Sequence, residues 1–431
     1  MSGRTIFVEK VCRIEGGLNF TVVLGDGYVV ETRAEALEGI RLLERFLRGR
    51  DYGEVPDIAS RMCGVCQAIH RITAVQAIEN AFGISLPESL QVLRRLVAIG
   101  GLLQSHILHL YIFVLPDFLG YSNIVEMLPR YEGIVRKVLK LKKLANVITE
   151  IIGGRAVHPI TPIVGGFSKI PSKEDLENIL RMAKEFRKEL LQVLDPILSL
   201  EMPEFRRRAR YISVYNGERF PLLNGMLKVD DGSMFEPMKY MYCIQPIREE
   251  YSTAKHYLYR INKEPYMVGA LSRLNLNHSL LSDSAKDLAK TYGLVFPDYS
   301  PFSNNKAQVL ELVHFADEAI ELAEKLLSGG IGKKSVVFRV EEGEGISATE
   351  APRGLLIHHY KINKMGRVVE ANIVTPTAQN LKNLEMDAKD YIEFLLEENN
   401  VKDIKLELEK LIRSYDPCIS CSARFLKENT K

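Results

Sequence analysis

The first regular pattern along the chain is an alternation of apolar and polar residues, LNFTVVLGDGYVVETRA over 18–34, centred on Gly25-Asp26-Gly27. Alternation about such a turn predicts a β-hairpin. Beyond it the apolar spacing lengthens to three and four residues, which predicts helices near 34–48, 67–83, 88–114, 127–152 and 174–197. Pro87, Pro116, Pro159, Pro162 and Pro171 punctuate these segments. Residues from about 200 to 245 mix Pro, Gly and short β-prone runs, and helical spacing returns near 248–262, 279–292 and 306–328. A second β patch, SVVFRVEEGEGISATEAPRGLLIHHYKINKMGRVVEANIV, has strand-like runs on both sides of Gly366, and two more helices follow. The pattern predicts a mainly α fold with minor β, a long-helix bundle flanked by small β regions. It shows no internal repeat and no long linker.

Composition adds limits. A chain of 431 residues with 46% hydrophobic side chains can bury a large core. Lys+Arg of 57 against Asp+Glu of 55 is too balanced for a nucleic-acid or anionic-membrane surface to be the main business. The short basic run Arg206-Arg207-Arg208-Ala209-Arg210 reads as a solvated face or subunit contact. MSGRTIFVEK has no apolar signal core, so the expected location is cytoplasmic. The most apolar stretch, 96–119, is interrupted by Gln104, Ser105, His106, His109 and Asp117, and is expected to be a buried helix rather than a membrane span.

Two glycine motifs suggest nucleotide binding and fail on context. Gly343-Glu-Gly345-Ile-Ser-Ala348 follows a strand-like run, but Pro352 and Gly354 stand where a phosphate-binding helix would begin. Gly332-Lys333-Lys334 lacks the upstream glycine of a P-loop and has Lys334 in place of the magnesium-holding hydroxyl. The cysteines say more. Four of six form Cys63-x-x-Cys66 and Cys418-x-x-Cys421, one pair near each end of the chain. Four thiolates suit one soft metal centre, and the pairs alone leave a structural zinc clasp and a redox or catalytic metal both open.

The flanking residues change that balance. Arg61-Met-Cys63-Gly-Val-Cys66-Gln-Ala-Ile-His70 and Asp416-Pro-Cys418-Ile-Ser-Cys421-Ser-Ala-Arg424 resemble the two signatures of NiFe hydrogenase large subunits. Arg13-Ile-Glu15-Gly16, the 41–51 segment containing Glu44, Gly153-Gly-Arg155 with His158-Pro159, Glu350-Ala-Pro352-Arg353-Gly354 and Thr375-Pro376-Thr377 follow in the family's order, so the resemblance runs end to end. With LLIHHYKIN after APRG, the chain most resembles the cytosolic group, including archaeal NADP-coupled sulfhydrogenase alpha subunits.

The resemblance implies an enzyme that reversibly cleaves hydrogen at nickel held by four thiolates, beside an iron carrying carbon monoxide and cyanide. Cys63 and Cys418 are the implied terminal nickel ligands, and Cys66 and Cys421 the implied bridges. Cys418 is the implied base and Glu15 its proton relay. Arg353 is implied above the diatomic ligands, paired with Asp117 and Asp416. Pro352, Pro376 and Thr377 are implied to line the cyanide pocket, Thr377 also suiting a helix N-cap. His70 is expected to hydrogen-bond near Cys66, and His106, His109, His358 and His359 to be satisfied core imidazoles.

A magnesium or iron ion near Glu44 and Ile373 is also implied, but Arg424 replaces the histidine that the family often uses there and has no lone pair to offer. Either that ion is absent or held differently, or the Arg424 guanidinium takes its place against Glu44. The family further implies one catalytic domain over 1–424 and a tail, 425–431, removed by a maturation protease after nickel loading, with an assembly chaperone. Cys12 and Cys243 cannot complete an iron–sulfur cluster, so electrons must leave through a partner. The implied partners are an iron–sulfur small subunit together with flavin, NAD(P) and iron–sulfur electron-transfer subunits in a heterotetramer. The alternative is a metal-free or zinc-clasped structural or quinone-site relative in a respiratory-type complex.

Overall fold

The computed structural model describes residues 4–25, 28–37, 43–398 and 403–422. Its centre is a bundle of long helices: Gln67–Ala81, Glu88–Ile107, Leu128–Gly153, Lys173–Leu190 and Ser303–Gly329. Four of these match the predicted spans closely, and the fifth, predicted over 174–197, breaks after Leu190 and resumes as a short turn at Asp195–Leu198. Ser172 starts the Lys173–Leu190 helix with a capping box, its hydroxyl accepting the Asp175 N–H while the Asp175 carboxylate accepts that of Ser172. Gly100 allows the Glu88–Ile107 and Leu128–Gly153 helices to touch: a Cβ there would lie 2.4 Å from Thr149 Oγ1.

The Glu88–Ile107 helix continues through a wide π-helical stretch, Leu108–Val114, into Leu115–Leu119. This continuous 32-residue segment is, among the described residues, the one helix long and apolar enough to cross a membrane, and 83% of its most apolar window is buried inside the protein. The polar interruptions find partners there. His106 Nε2 lies 2.7 Å from Glu311 Oε2, and His109 contacts the Gln308 side chain at 2.6 Å and the Arg413 carbonyl at 2.7 Å.

Two small sheets flank the bundle. Arg4–Val8, Leu18–Leu24 and Val29–Ala36 form an antiparallel meander, and the predicted hairpin closes where the Gly25 N–H meets the Tyr28 carbonyl at 2.9 Å. Its third strand corrects the start of the helix predicted over 34–48: the chain stays extended to Ala36, and among the described residues the helix covers Leu43–Leu47. Pairing with Leu18–Leu24 satisfies that backbone and buries Ala34 and Ala36. The second sheet, Gly343–Ala351, Gly354–Ile362 and Val368–Val374, is antiparallel and nearly all buried.

Gly343-x-Gly345, the false dinucleotide motif, is the start of a strand laid directly on the Gln67–Ala81 helix. A Cβ on Gly345 would come 2.0 Å from the Ala77 carbonyl oxygen, and one on Gly343 2.1 Å from that of Ala81. The helix predicted over 248–262 is also corrected: Ile244–Arg248 and Lys255–Tyr259 pair as an antiparallel hairpin. Tyr257 and Tyr259, buried on one face, supply the β preference that outweighs the three- and four-residue spacing. In the basic run, Arg207 pairs with Asp387, and Arg210 Nη1 lies 3.1 Å from Asp230, so these two arginines serve ion pairs within the chain. Arg206 and Arg208 remain exposed.

Candidate metal centre

Cys63 and Cys66 flank the turn that leads into the Gln67–Ala81 helix, and Cys418 and Cys421 sit on the last described turn, Ile419–Ser422, and just before it. The last segment is held against the N-terminal one by main-chain bonds, Glu15 N–H to the Pro417 carbonyl at 3.3 Å and Ile419 N–H to the Glu15 carbonyl at 2.8 Å. All four sulfurs are buried and undisulfided. Cys63 Sγ lies 3.3 Å from Cys418 Sγ, Cys66 Sγ 3.3 Å from Cys421 Sγ, and Cys418 Sγ 3.0 Å from Cys421 Sγ. All four fall within 4.8 Å of one another. Metal–thiolate bonds of about 2.3 Å spread ligands by about 3.0 to 4.6 Å at angles of about 80° to 180°, so the donor set fits a metal centre.

The electrostatics are those of thiols waiting for a cation. Hydrogen bonds from Cys418, then Cys421 and Cys66, hold the Cys63 thiol well below its usual range, and the Val65 and Cys66 amides donate to its sulfur at 3.2 and 3.4 Å. Burial, aided by the neighbouring sulfurs, pushes Cys418 well up, and burial does the same to Cys421. Several thiolates in so dry a site require compensating positive charge.

Arg353 supplies one. It stands at the tip of a two-residue turn, Pro352-Arg353, where Ala351 pairs with Gly354. Gly354, at φ +127°, lets the turn approach Val268 and Gly269; a Cβ would sit 2.6 Å from the Gly269 nitrogen. Arg273, wholly buried, donates to the Ala351 and Pro352 carbonyls at 3.0 and 3.2 Å and so fixes the turn from behind. Arg353 Nε donates to the Asp416 carbonyl at 3.2 Å, Nη1 to Ser105 Oγ at 2.9 Å, and Nη2 lies 2.9 Å from Asp416 Oδ1. Burial disfavours this guanidinium, but Asp416 and the sulfurs of Cys418, Cys66 and Cys63 outweigh it and raise its pKa.

The expected pairing of Arg353 with Asp117 is corrected. Asp117 is taken by Arg13 and by Arg413 Nη1, the latter at 2.7 Å, which ties the N-terminal loop to the helix before Asp416. Two guanidiniums already occupy its oxygens. Asp416 sits in the left-handed region, φ 49°, a conformation that Asp tolerates better than most residues.

Glu15 reaches the cluster directly. Its Oε2 accepts the Cys418 thiol at 3.1 Å and the Ser420 N–H at 3.1 Å. Burial and then the charge at Cys63 push its carboxyl up, against those two hydrogen bonds. Thr377 Oγ1 accepts the Cys418 N–H at 2.8 Å, and the helix N-cap position belongs to Thr375, so the capping alternative for Thr377 is corrected. Pro376 opens that helix and is buried, and Pro352 lies with Cys66 around a narrow apolar space lined also by Ala68 and Gly101. His70 Nε2 is 3.5 Å from Cys421 Sγ, which itself lies beside Cys66 Sγ, and its Nδ1 is 3.1 Å from His358 Nε2. Glu44 and Ile373 meet through an Ile373 N–H to Glu44 Oε1 bond of 2.9 Å, both buried. Arg424 and 425–431 lie outside the described residues.

Sequence reasoning missed Ser105, Arg13, Arg273 and Arg413. Ser105 had a signal, as a polar break in an apolar helix. Arg13 had one too, as the first residue of the Arg13-Ile-Glu15-Gly16 motif, but Arg273 and Arg413 had none, because their partners lie far along the chain.

Four buried thiols, with a guanidinium against them and a carboxyl on one sulfur, form a donor set that could hold a metal ion. The pattern that defines the nickel-dependent hydrogenases matches residues 41–131 and 235–424, and the chain belongs to that family as a large, catalytic subunit, an oxidoreductase acting on hydrogen. It is 35% identical to the sulfhydrogenase 2 alpha subunit of Pyrococcus furiosus over 98% of this chain and 99% of that one. It is 30% identical to one chain of an F420-non-reducing hydrogenase of Methanocaldococcus jannaschii, covering 88% of this chain and 96% of that one. The fold matches that of a solved NAD+-reducing [NiFe]-hydrogenase with a TM-score of 0.88 at 24% identity, over 98% of this chain and 99% of that one.

Proposed function

We propose that Cys63, Cys66, Cys418 and Cys421 would together hold a nickel–iron centre, Cys63 and Cys418 giving their thiolates to nickel and Cys66 and Cys421 giving theirs to both metals. Bound there, the pair of metals supplies the two-electron chemistry of reversible hydrogen cleavage, with carbon monoxide and cyanide on the iron. Cys418 takes the proton and Glu15 passes it on, and the observation that carries this assignment is the 3.1 Å contact between them. Arg353, oriented by Asp416 and Ser105, keeps positive charge over the thiolates. Pro352, Pro376 and Thr377 line the iron side, and the Thr377 hydroxyl, having accepted the Cys418 N–H, keeps its own proton to donate. Asp117 acts one step away, by holding Arg413 and Arg13. A magnesium or iron ion would be held beside Glu44 and Ile373, unless the Arg424 guanidinium takes its place against Glu44.

Electrons leave to an iron–sulfur small subunit, then through flavin and iron–sulfur subunits to NAD(P), in the cytoplasm. Two sulfhydrogenase alpha subunits at 35% identity support the hydrogenase reading from which this proposed route follows. Purified enzyme should contain nickel and iron in equal amounts at this centre and show infrared bands of metal-bound carbon monoxide and cyanide. Zinc in their place, with no such bands, would instead establish a structural clasp.

A further inference from the structure

A second group of ligating side chains lies apart from the thiols. Glu249, His256 and Glu385 place a nitrogen and two carboxylate oxygens within 4.8 Å of one another. They come from three places: the segment after Ile244–Arg248, the strand Lys255–Tyr259 and the helix Pro376–Glu397. Acidic side chains gathered near a surface are common, and His256 makes this group different. It is fully buried, and neither ring nitrogen has a hydrogen-bond partner among the described residues. Its Nδ1 faces Glu385 Oε1 at 3.8 Å, too long for a hydrogen bond and suited to two ligands of one ion. A buried polar group left unmatched is costly, so the arrangement calls for an explanation.

The other atoms of the group are well anchored. Glu385 Oε1 accepts the Ala34 N–H at 3.0 Å and the Tyr251 hydroxyl at 2.7 Å, which fixes the carboxylate between the N-terminal sheet and the hairpin. Lys382 Nζ lies 2.8 Å from Glu249 Oε1 and 2.9 Å from Glu385 Oε2, one positive charge against two negative ones. Its side chain is 28% exposed, so the ammonium can swing to water. Burial makes His256 a neutral imidazole, which keeps a lone pair available, with a pKa lowered to about 3. The neighbouring Lys255 points the other way, its Nζ 3.9 Å from Glu44 Oε2, so the strand separates this group from the Glu44–Ile373 pair.

We propose that Glu249, His256 and Glu385 form a site for a borderline divalent cation of the zinc type, and that Lys382 holds the cation's place when none is bound. One imidazole nitrogen and two carboxylate oxygens are a donor set that such ions accept. The ion ties the Ile244–Tyr259 hairpin and the N-terminal sheet to the helix whose first turn carries Thr377, and thereby braces the support of Cys418.

The test uses nickel-loaded holoenzyme, washed with chelator, dialysed against micromolar Zn2+ and analysed for bound zinc. Wild type should hold one more zinc per chain than His256→Gln, and zinc-edge anomalous diffraction should place it between His256 and Glu385. Lys382→Met should tighten binding by about tenfold or more through loss of the competing charge. Glu249→Gln, at the half-exposed rim, should weaken binding by at least about tenfold without disturbing the core, and decides the matter where His256→Gln does not fold. Equal zinc in wild type and Glu249→Gln, or an anomalous peak only elsewhere, would overturn the proposal.

Discussion

Glu15 hangs between the Cys418 thiol and the Ser420 amide, with its carboxyl already pushed up by burial and by the charge at Cys63. A carboxyl so placed can take a proton from sulfur and release it outward, a role that glutamine of the same shape cannot fill. Glu15→Gln should keep nickel and iron content unchanged while slowing H/D exchange by at least about a hundredfold, the usual worth of a general acid–base group. Exchange at the parent rate, followed by mass spectrometry of the evolved gas, would remove Glu15 from the path. Each of these residues was legible for a different reason. The cysteine pairs announce a metal by type and spacing alone. Glu15 and Arg353 are ordinary charged residues in isolation and acquire meaning only from the motifs around them. Asp117 was placed at the centre and assigned the wrong partner, because nothing local to Leu115–Leu119 indicates that Arg13 and Arg413 converge there.

At the scale of elements, periodicity served the long buried helices well and the short half-buried segments poorly. Over 248–262 the spacing of Tyr251, Ala254, Tyr257 and Leu258 fits a helix as well as a hairpin, and pairing with Ile244–Arg248 decides between them. Over 34–48 the alternation of the preceding strand simply continues to Ala36. Gly345 shows the reverse: a motif that looked like chemistry is packing. Gly345→Ala would drive a methyl group into the Ala77 carbonyl and the Ala81 nitrogen, separating the Gly343–Ala351 strand from the Gln67–Ala81 helix. That strand ends at the Arg353 turn and that helix begins at Cys66. The variant should lose about 1–3 kcal/mol of stability, the usual cost of overpacking, and lower nickel occupancy, as checked by thermal unfolding and elemental analysis. Parent-like values for both would show that the strand can shift at no cost.

Across the whole molecule, one buried charge network links the bundle to the sheet. Arg273 meets Glu311 at 2.5 and 2.7 Å and Glu350 at 2.9 Å, while Glu311 also meets His106 and Glu350 accepts the Val214 N–H at 2.7 Å. Burial alone would raise Glu311, but Arg273 outweighs it and holds the carboxyl at about 2. Its folded value is below the ordinary 4.5, so the stability it lends is complete above about pH 4.5 and fades as pH falls toward 2. Glu350, pushed by burial to about 7, works in the opposite sense: its contribution is full below about pH 4.5 and is lost as pH rises through 7. Arg273→Met strands both carboxyls and should cost about 3–5 kcal/mol, lowering the melting temperature by several degrees. The deficit should be larger at pH 7 than at pH 4, where both carboxyls can more readily be neutral. Calorimetry at the two values checks this, and an equal deficit would mean that the arginine acts by packing alone.

The four thiols proposed to hold the metals pair across 355 positions, Cys63 against Cys418 and Cys66 against Cys421. During synthesis the N-terminal half is made first, and its helices can begin to pack while the last turn does not yet exist. The first two thiols therefore wait, within a largely formed bundle, for partners that the ribosome adds near the end. A chain abandoned after the bundle is made but before Cys418 owns much of the scaffold and two of the four thiols, and commits no complete set of donors to a scarce metal. Placing the second pair so late makes completed translation a condition of metal capture.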